Sequence, residues 1–290
     1  MILRFCLLFN RIRSPVAVCE FRIADSGFRC LPGLLPIDLN PAETTARLSG
    51  IVKKKKAGVA WHKVVVGIVS IIGAASYGSV LVHMMDRSLL AAPNVKMAAI
   101  GFVTGALFWV VFGRKLGFFG VFEHEFAHLV MGLLMFQKPE AFFATAKRGH
   151  VRVGGKNFLV DLAPYYFPTF SLILLVVFPL LKPSAQPYFY PVLGFVTGYH
   201  LVSQISDFKF YQGDIRVSGR LFSIVFCAFA SVLAFGFIFA FVVGGYRGGW
   251  HFLQDGVREA WHVLALGWRH LRSLAAYLRE RGTGAPSPAE

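Results

Sequence analysis

Apolar residues in this chain gather into long runs instead of alternating regularly with polar ones. Six stretches, roughly 64–82, 97–113, 116–136, 162–181, 187–206 and 221–243, are predominantly apolar. Each approaches the ~20 residues a helix needs to cross about 30 Å of hydrocarbon. The pattern predicts an all-α, polytopic membrane protein of about six transmembrane helices. Only Arg114 and Lys115 separate the second and third runs, which therefore form a tight helical hairpin or one broken element. Between the third and fourth runs, Arg148 to Val160 alternates in places around Gly154, Gly155, Lys156 and Asn157, a pattern that fits a short β-hairpin. After Gly249, the residues Val257, Trp261, Leu264, Trp268, Leu271, Ala275 and Leu278 recur at spacings of three and four, with Arg258, Arg269, Arg272 and Arg279 elsewhere. That stripe predicts a C-terminal amphipathic helix lying on the membrane surface or packed on the bundle, with a partner-binding coiled coil as the alternative.

Composition supports the membrane reading. Of 290 residues, 56% are apolar and only 16% charged, too little polar surface to cover a water-soluble globule. The formal net charge of +15 could suggest nucleic acid, but the basic residues lie mostly between and beyond the apolar runs, where they face anionic lipid. A lipid bilayer, and no nucleic acid, is the expected partner. Cys6, Cys19, Cys30 and Cys227 form no CxxC pair, which argues against both a disulfide framework and a cysteine metal knuckle. Three regions follow: a loosely ordered basic N-terminal extension over 1–56 that ends in the block Lys53 to Lys56, a transmembrane domain over 57–246, and the amphipathic helix with a flexible tail over 247–290. The expected location is integral and multi-pass, in the cell (inner) membrane if the source is bacterial.

The third run carries the chemistry. It reads Glu123-His124-Glu125-Phe126-Ala127-His128 and contains the pattern His-Glu-x-x-His. Positions four apart share a helix face, so His124 and His128 can both present a ring nitrogen to one zinc ion. Glu125 falls beside them, where it can take a proton from a metal-activated water and pass it to a leaving amine. Each ionisable group at membrane depth costs at least about 2.5–3.5 kcal/mol, so Glu123, His124, Glu125 and His128 need partners, and a bound cation would supply one. Catalytic zinc sites usually have three protein ligands. Asp161, His200, Asp207 and Asp214 are the candidates for the third. The polar run Lys209 to Gln212 with Gly213 suggests that the fifth helix breaks before Asp214.

The His124-to-His128 helix, the glycine-containing hairpin after it and the segment Asp214-Ile-Arg-Val-Ser-Gly219-Arg220 before the sixth run together resemble the site-2 protease-like intramembrane zinc metallopeptidases. The resemblance covers about residues 100–245. It implies one Zn2+ held by His124, His128 and Asp214, with Asp207 as the alternative third ligand. It also implies Glu125 as the base that activates a zinc-bound water, and hydrolysis of a peptide bond in or near a transmembrane segment of another membrane protein. In that family Gly follows the aspartate and Asn-Pro precedes it; this chain has neither. Two other readings use the same residues: a membrane transporter or metal carrier with intramembrane His and Asp, and a non-catalytic zinc-binding scaffold.

Overall fold

The computed structural model describes residues 19–24, 27–29, 61–85, 92–145, 149–155 and 157–282. Most of the expected N-terminal extension, including Lys53 to Lys56, and the tail over 283–290 lie outside these residues. The fold is mostly helical, with eight helices among the described residues: α1 (Trp61–Met84), α2 (Pro93–Phe112), α3 (Gly117–Leu134), α4 (Phe158–Asp161), α5 (Thr169–Val177), α6 (Gln186–Asp207), α7 (Gly213–Ser218) and α8 (Arg220–Gly282). Strands β3 (Pro139–Ala144) and β4 (Gly149–Val153) form an antiparallel pair after α3. Two short strands, β1 (Cys19–Ala24) and β2 (Gly27–Arg29), extend it in the order β2-β1-β3-β4, which leaves β4 at an edge among the described residues.

The helices are built inside out relative to a water-soluble protein. Helix α1 buries Ser70, Gly73, Ser76 and Tyr77 while exposing Val65, Ile68, Val69 and Ile71. Helix α2 buries Val95, Ala98, Gly101 and Gly105 while exposing Ile100, Val103, Leu107 and Val110. Hydrocarbon gives no reason to hide large apolar side chains, so small residues line the contacts and let backbones approach. Helices α1, α2 and α8 are long and apolar enough to cross a membrane. Helices α3 and α6 are long but carry the ionisable and amide side chains of the site.

The tightest helix pair is α2 with α6. Both contain the same pentapeptide, Gly101-Phe-Val-Thr-Gly105 and Gly194-Phe-Val-Thr-Gly198. A Cβ on Gly101 would collide with the Pro191 carbonyl, on Gly105 with that of Phe195, on Gly194 with that of Ala98 and on Gly198 with that of Phe102. Ala98 meets Gly194 and Phe102 meets Gly198, so the helices run side by side in the same direction.

Two expectations change, and the break expected between the sixth run and the C-terminal helix is located. The fourth run is not one spanning helix: α4 is followed by a 3-10 turn over Ala163–Tyr165, then α5, which is only 9 residues long. Pro164 and Pro168 interrupt it, because proline lacks the amide hydrogen that a continuing helix needs. The hairpin lies earlier than its glycines suggested, since β4 pairs with β3 before it and not with residues after Gly154. Phe158, Leu159 and Val160 belong to α4, which Asn157 caps by accepting a hydrogen bond from the Leu159 amide at 3.0 Å. Helix α8 breaks at Gly244 and Gly245, the latter with φ 61°, a conformation open mainly to glycine. Gly248 then packs on the Ala240 carbonyl, Gly249 on the Phe237 ring and Phe252 on Gly236. The second half of α8 thus folds back antiparallel on the first.

If the glycine contacts hold α2 to α6, Gly198→Leu will sharply lower the yield of monodisperse protein in detergent and its melting temperature. Gly67→Leu, where a Cβ would meet open space, should do neither. Equal behaviour of the two variants in size-exclusion and thermal-unfolding measurements would remove the proposed role of that contact.

Candidate metal centre

Helix α3 brings His124 and His128 to one face, with ring centroids 5.1 Å apart. Asp214, in the first turn of α7, approaches from the other side: its Oδ2 lies 3.7 Å from Nε2 of His124 and 3.7 Å from Nε2 of His128. Ligand atoms about 2.0–2.2 Å from a tetrahedral ion stand roughly 3.3–3.6 Å from one another, close to these separations. The three side chains could therefore hold one metal ion, and among the described residues they form the one such group.

The supporting contacts fit that use. His128 Nδ1–H donates to the Val160 carbonyl at 2.7 Å; a carbonyl can only accept, so this bond leaves the Nε2 lone pair directed toward Asp214. The Asn157 cap places Val160 to receive it. The Tyr165 hydroxyl donates to Gln212 Oε1 and lies 3.3 Å from Asp214 Oδ2, while its ring meets His124 edge-on at 5.5 Å. Burial alone would raise the Asp214 carboxyl, but the neighbouring His124 and His128 outweigh it and hold the group well below the usual carboxylate range.

Glu125 borders two cavities that meet at the group. One, of about 310 Å³, runs along β4 past Gly149, His150, Val151 and Val153 to Val160 and Asp161. The other, about 670 Å³, is lined by Trp109, Gly117, Gly120, Tyr199, Ser203, Asp207, Lys209 and Gln212 among others. Gly149 sits on Glu125, and a Cβ there would overlap the Glu125 side chain. The strand can approach the carboxylate only because the residue is glycine.

The sequence candidates separate clearly. His124, His128 and Asp214 converge, and Glu125 is beside them. Asp207 ends α6 and lines the larger cavity, outside the group. Asp161 lines the smaller cavity without joining the group. His200 lies elsewhere, and its position resolves the need for a partner at Glu123. The two are 2% and 4% exposed and form an ion pair between α6 and α3 through His200 Nδ1 and Glu123 Oε1. His200 Nε2 contacts the Phe167 carbonyl at 3.1 Å, and the Ser203 hydroxyl donates to Glu123 Oε2 at 3.5 Å. His200 and Ser203 are thus partners within the protein for the buried Glu123 carboxyl. Tyr165, Gly149 and the Val160 carbonyl had no signal in the sequence, because each acts on a residue distant along the chain.

Set against known protein families, curated proteins and solved structures, the chain has no significant match in any of the three comparisons.

Removing the Tyr165 hydroxyl leaves Asp214 Oδ2 without that neighbour, so Tyr165→Phe should weaken metal binding about 10- to 100-fold, the usual effect of losing a contact behind a ligand. Titration calorimetry of the purified protein is the measurement, and an unchanged affinity would end that assignment. His200→Ala strands a buried carboxylate and should destabilise the protein by about 3–5 kcal/mol, more than the double variant Glu123→Gln/His200→Gln, in which no charge is left unpaired. Denaturant unfolding in mixed micelles compares them.

Proposed function

We propose that the protein is a membrane-embedded zinc metalloprotease that hydrolyses a peptide bond in or near a transmembrane segment of another membrane protein. The observation that carries this reading is the convergence of His124, His128 and Asp214 on one point with Glu125 at its side, in a chain that has three helices fit to span a membrane. Two imidazoles and one carboxylate make a borderline donor set suited to zinc, and three ligands leave a position open. Zinc, when bound, supplies Lewis acidity toward a carbonyl oxygen and toward water.

The other roles fall to the chain itself. Glu125 accepts a proton from the attacking water and delivers it to the departing amide nitrogen. Hydroxide thus ends on the carbonyl carbon and hydrogen on the amine as the C–N bond breaks. A transmembrane helix hides its carbonyls in its own hydrogen bonds and must be unwound before one can react. The outer edge of β4, beside the smaller cavity, suits that need, because a peptide added there is held extended by backbone hydrogen bonds. Gly149 keeps that edge close to Glu125. The likeness of the His124-to-His128 helix and the Asp214 segment to site-2 protease-like enzymes supports the same reading.

Metal analysis and cleavage together test it. Wild type should carry about one zinc per chain, and His128→Ala should lose it. Glu125→Gln should keep the metal and cleave a panel of single-span membrane substrates at least about 100-fold more slowly, the scale of general-base catalysis. Undiminished cleavage by Glu125→Gln, or zinc that survives loss of both His124 and His128, would defeat the proposal. Zinc binding without cleavage by wild type would favour the scaffold, and zinc flux across proteoliposomes the carrier.

A further inference from the structure

The larger cavity has features that the metal group does not use. Helices α2 and α6 run side by side in the same direction, with Ala98 against Gly194 and Phe102 against Gly198. Equal rise along both helices brings their ends, Phe112 and Asp207, to about the same level. The cavity lies at that end. Trp109 and Gly113 border it from α2 and the turn that follows, Ser206, Asp207 and Lys209 from the end of α6 and the segment beyond. Both connecting segments are basic or polar, Gly113-Arg-Lys115 and Lys209 to Gln212, as expected where an apolar span meets water.

The same cavity reaches His124, Glu125 and Gly149, which also border the smaller cavity along β4. A peptide extended along β4 with a carbonyl at the metal group therefore continues past Glu125 into the larger cavity. Its volume of about 670 Å³ falls within the roughly 300–1,000 Å³ of pockets that enclose a drug-sized ligand, enough for a short run of side chains. Gly120 keeps the α3 wall open, since a Cβ there would meet nothing within 4 Å.

Asp207 gives this cavity its selectivity. The residue is half-buried. Charge from His124 and Lys209 reaches it, but among the described residues no ion pair or hydrogen bond joins its carboxylate, and the Lys209 side chain is exposed to water. A carboxylate that has lost hydration without gaining a partner is costly, and a cation brought by a ligand would offset that cost. Trp109 on the same cavity offers an aromatic surface for the stem and charge of a lysine or arginine. Membrane spans carry such residues just beyond their apolar stretch, most of all on the cytoplasmic side. A substrate span that ends at the level of α2 and α6 brings them to this wall.

We propose that Asp207 is a specificity residue that pairs with a lysine or arginine in the flank of the substrate's span, on the far side of the scissile bond from β4. The proposal rests on the protease reading above and adds the substrate chemistry that the site selects.

The test pairs binding with cleavage. Fluorescent single-span peptides, with lysine or glutamine in the flank, are titrated by anisotropy against zinc-loaded Glu125→Gln in micelles, alone and combined with Asp207→Asn, Asp207→Lys or Gly120→Phe. The lysine peptides should bind about 10-fold more tightly than the glutamine peptides, the scale of a hydrogen bond to a charged group. Asp207→Asn should abolish that preference with zinc content unchanged, Asp207→Lys should shift it to glutamate flanks, and Gly120→Phe, which fills the cavity, should weaken both. Equal binding of lysine and glutamine peptides, a preference that survives Asp207→Asn, or loss of zinc in Asp207→Asn overturns the proposal. Cleavage by wild type separates this outcome from the protease reading. Cleavage without flank preference defeats the Asp207 role alone, whereas Asp207-dependent binding without cleavage keeps the subsite and defeats the protease.

Discussion

The buried ion pair of Glu123 with His200 is the constraint around which the site is arranged. An isolated carboxylate in this setting would cost several kcal/mol, so α3 can settle only where α6 offers the imidazole. Glu123 immediately precedes His124, and successive helical positions point about 100° apart. Fixing Glu123 toward α6 therefore turns His124 and His128 toward α4 and α7, where Val160 and Asp214 wait. His200 also holds the Phe167 carbonyl, next to the turn that carries Tyr165. One pair of charges thus sets the rotation of the motif helix and steadies the loop behind Asp214.

That arrangement demands polar residues where a membrane favours apolar ones, and the fold separates the two demands. Helices α1, α2 and the first half of α8 are long and apolar enough to cross a membrane and expose large aliphatic side chains, while glycines lie at their helix contacts: Gly73 of α1 against Phe229 of α8, and Gly101 and Gly105 of α2 against α6. Helices α3 and α6 turn their ionisable groups inward. The repeated Gly-Phe-Val-Thr-Gly segments bring α2 and α6 into backbone contact, and α2 leads through the 3-10 turn at Gly113–Lys115 into α3. A rigid, apolar pair thereby carries a helix whose own composition would not suit it to a lipid-facing position.

Much of this was legible in local patterns. Helix α3 could be assigned from its apolar run, and the shared face of His124 and His128 from their spacing alone, because four residues is about one helical turn. The amphipathic tail could be read likewise from spacings of three and four. The twin Gly-x-x-x-Gly segments, a packing signal of membrane helices, took on meaning only in the fold, where each is found against the other. The hairpin was misplaced because alternation marks a strand without naming its partner: β4 looks back to β3, across the segment that follows α3.

The sequence by itself determined what short-range periodicity can determine. That covers long apolar helices, two imidazoles on one face with a carboxylate beside them, and a basic, tryptophan-bearing stripe near the end. Only the tertiary structure decided which aspartate faces those imidazoles. Short-range pattern alone does not separate Asp207 from Asp214, although the resemblance favoured Asp214; the end of α6 at Asp207 sends one to the larger cavity and the other, through α7, to the two histidines. It also decided that Glu123 answers His200, that Gly149 lies on Glu125, and that the fourth run is broken at its prolines. Each of these joins residues brought together by chain reversals, whose geometry depends on the packing of all the helices at once and leaves no periodic trace in the residues themselves.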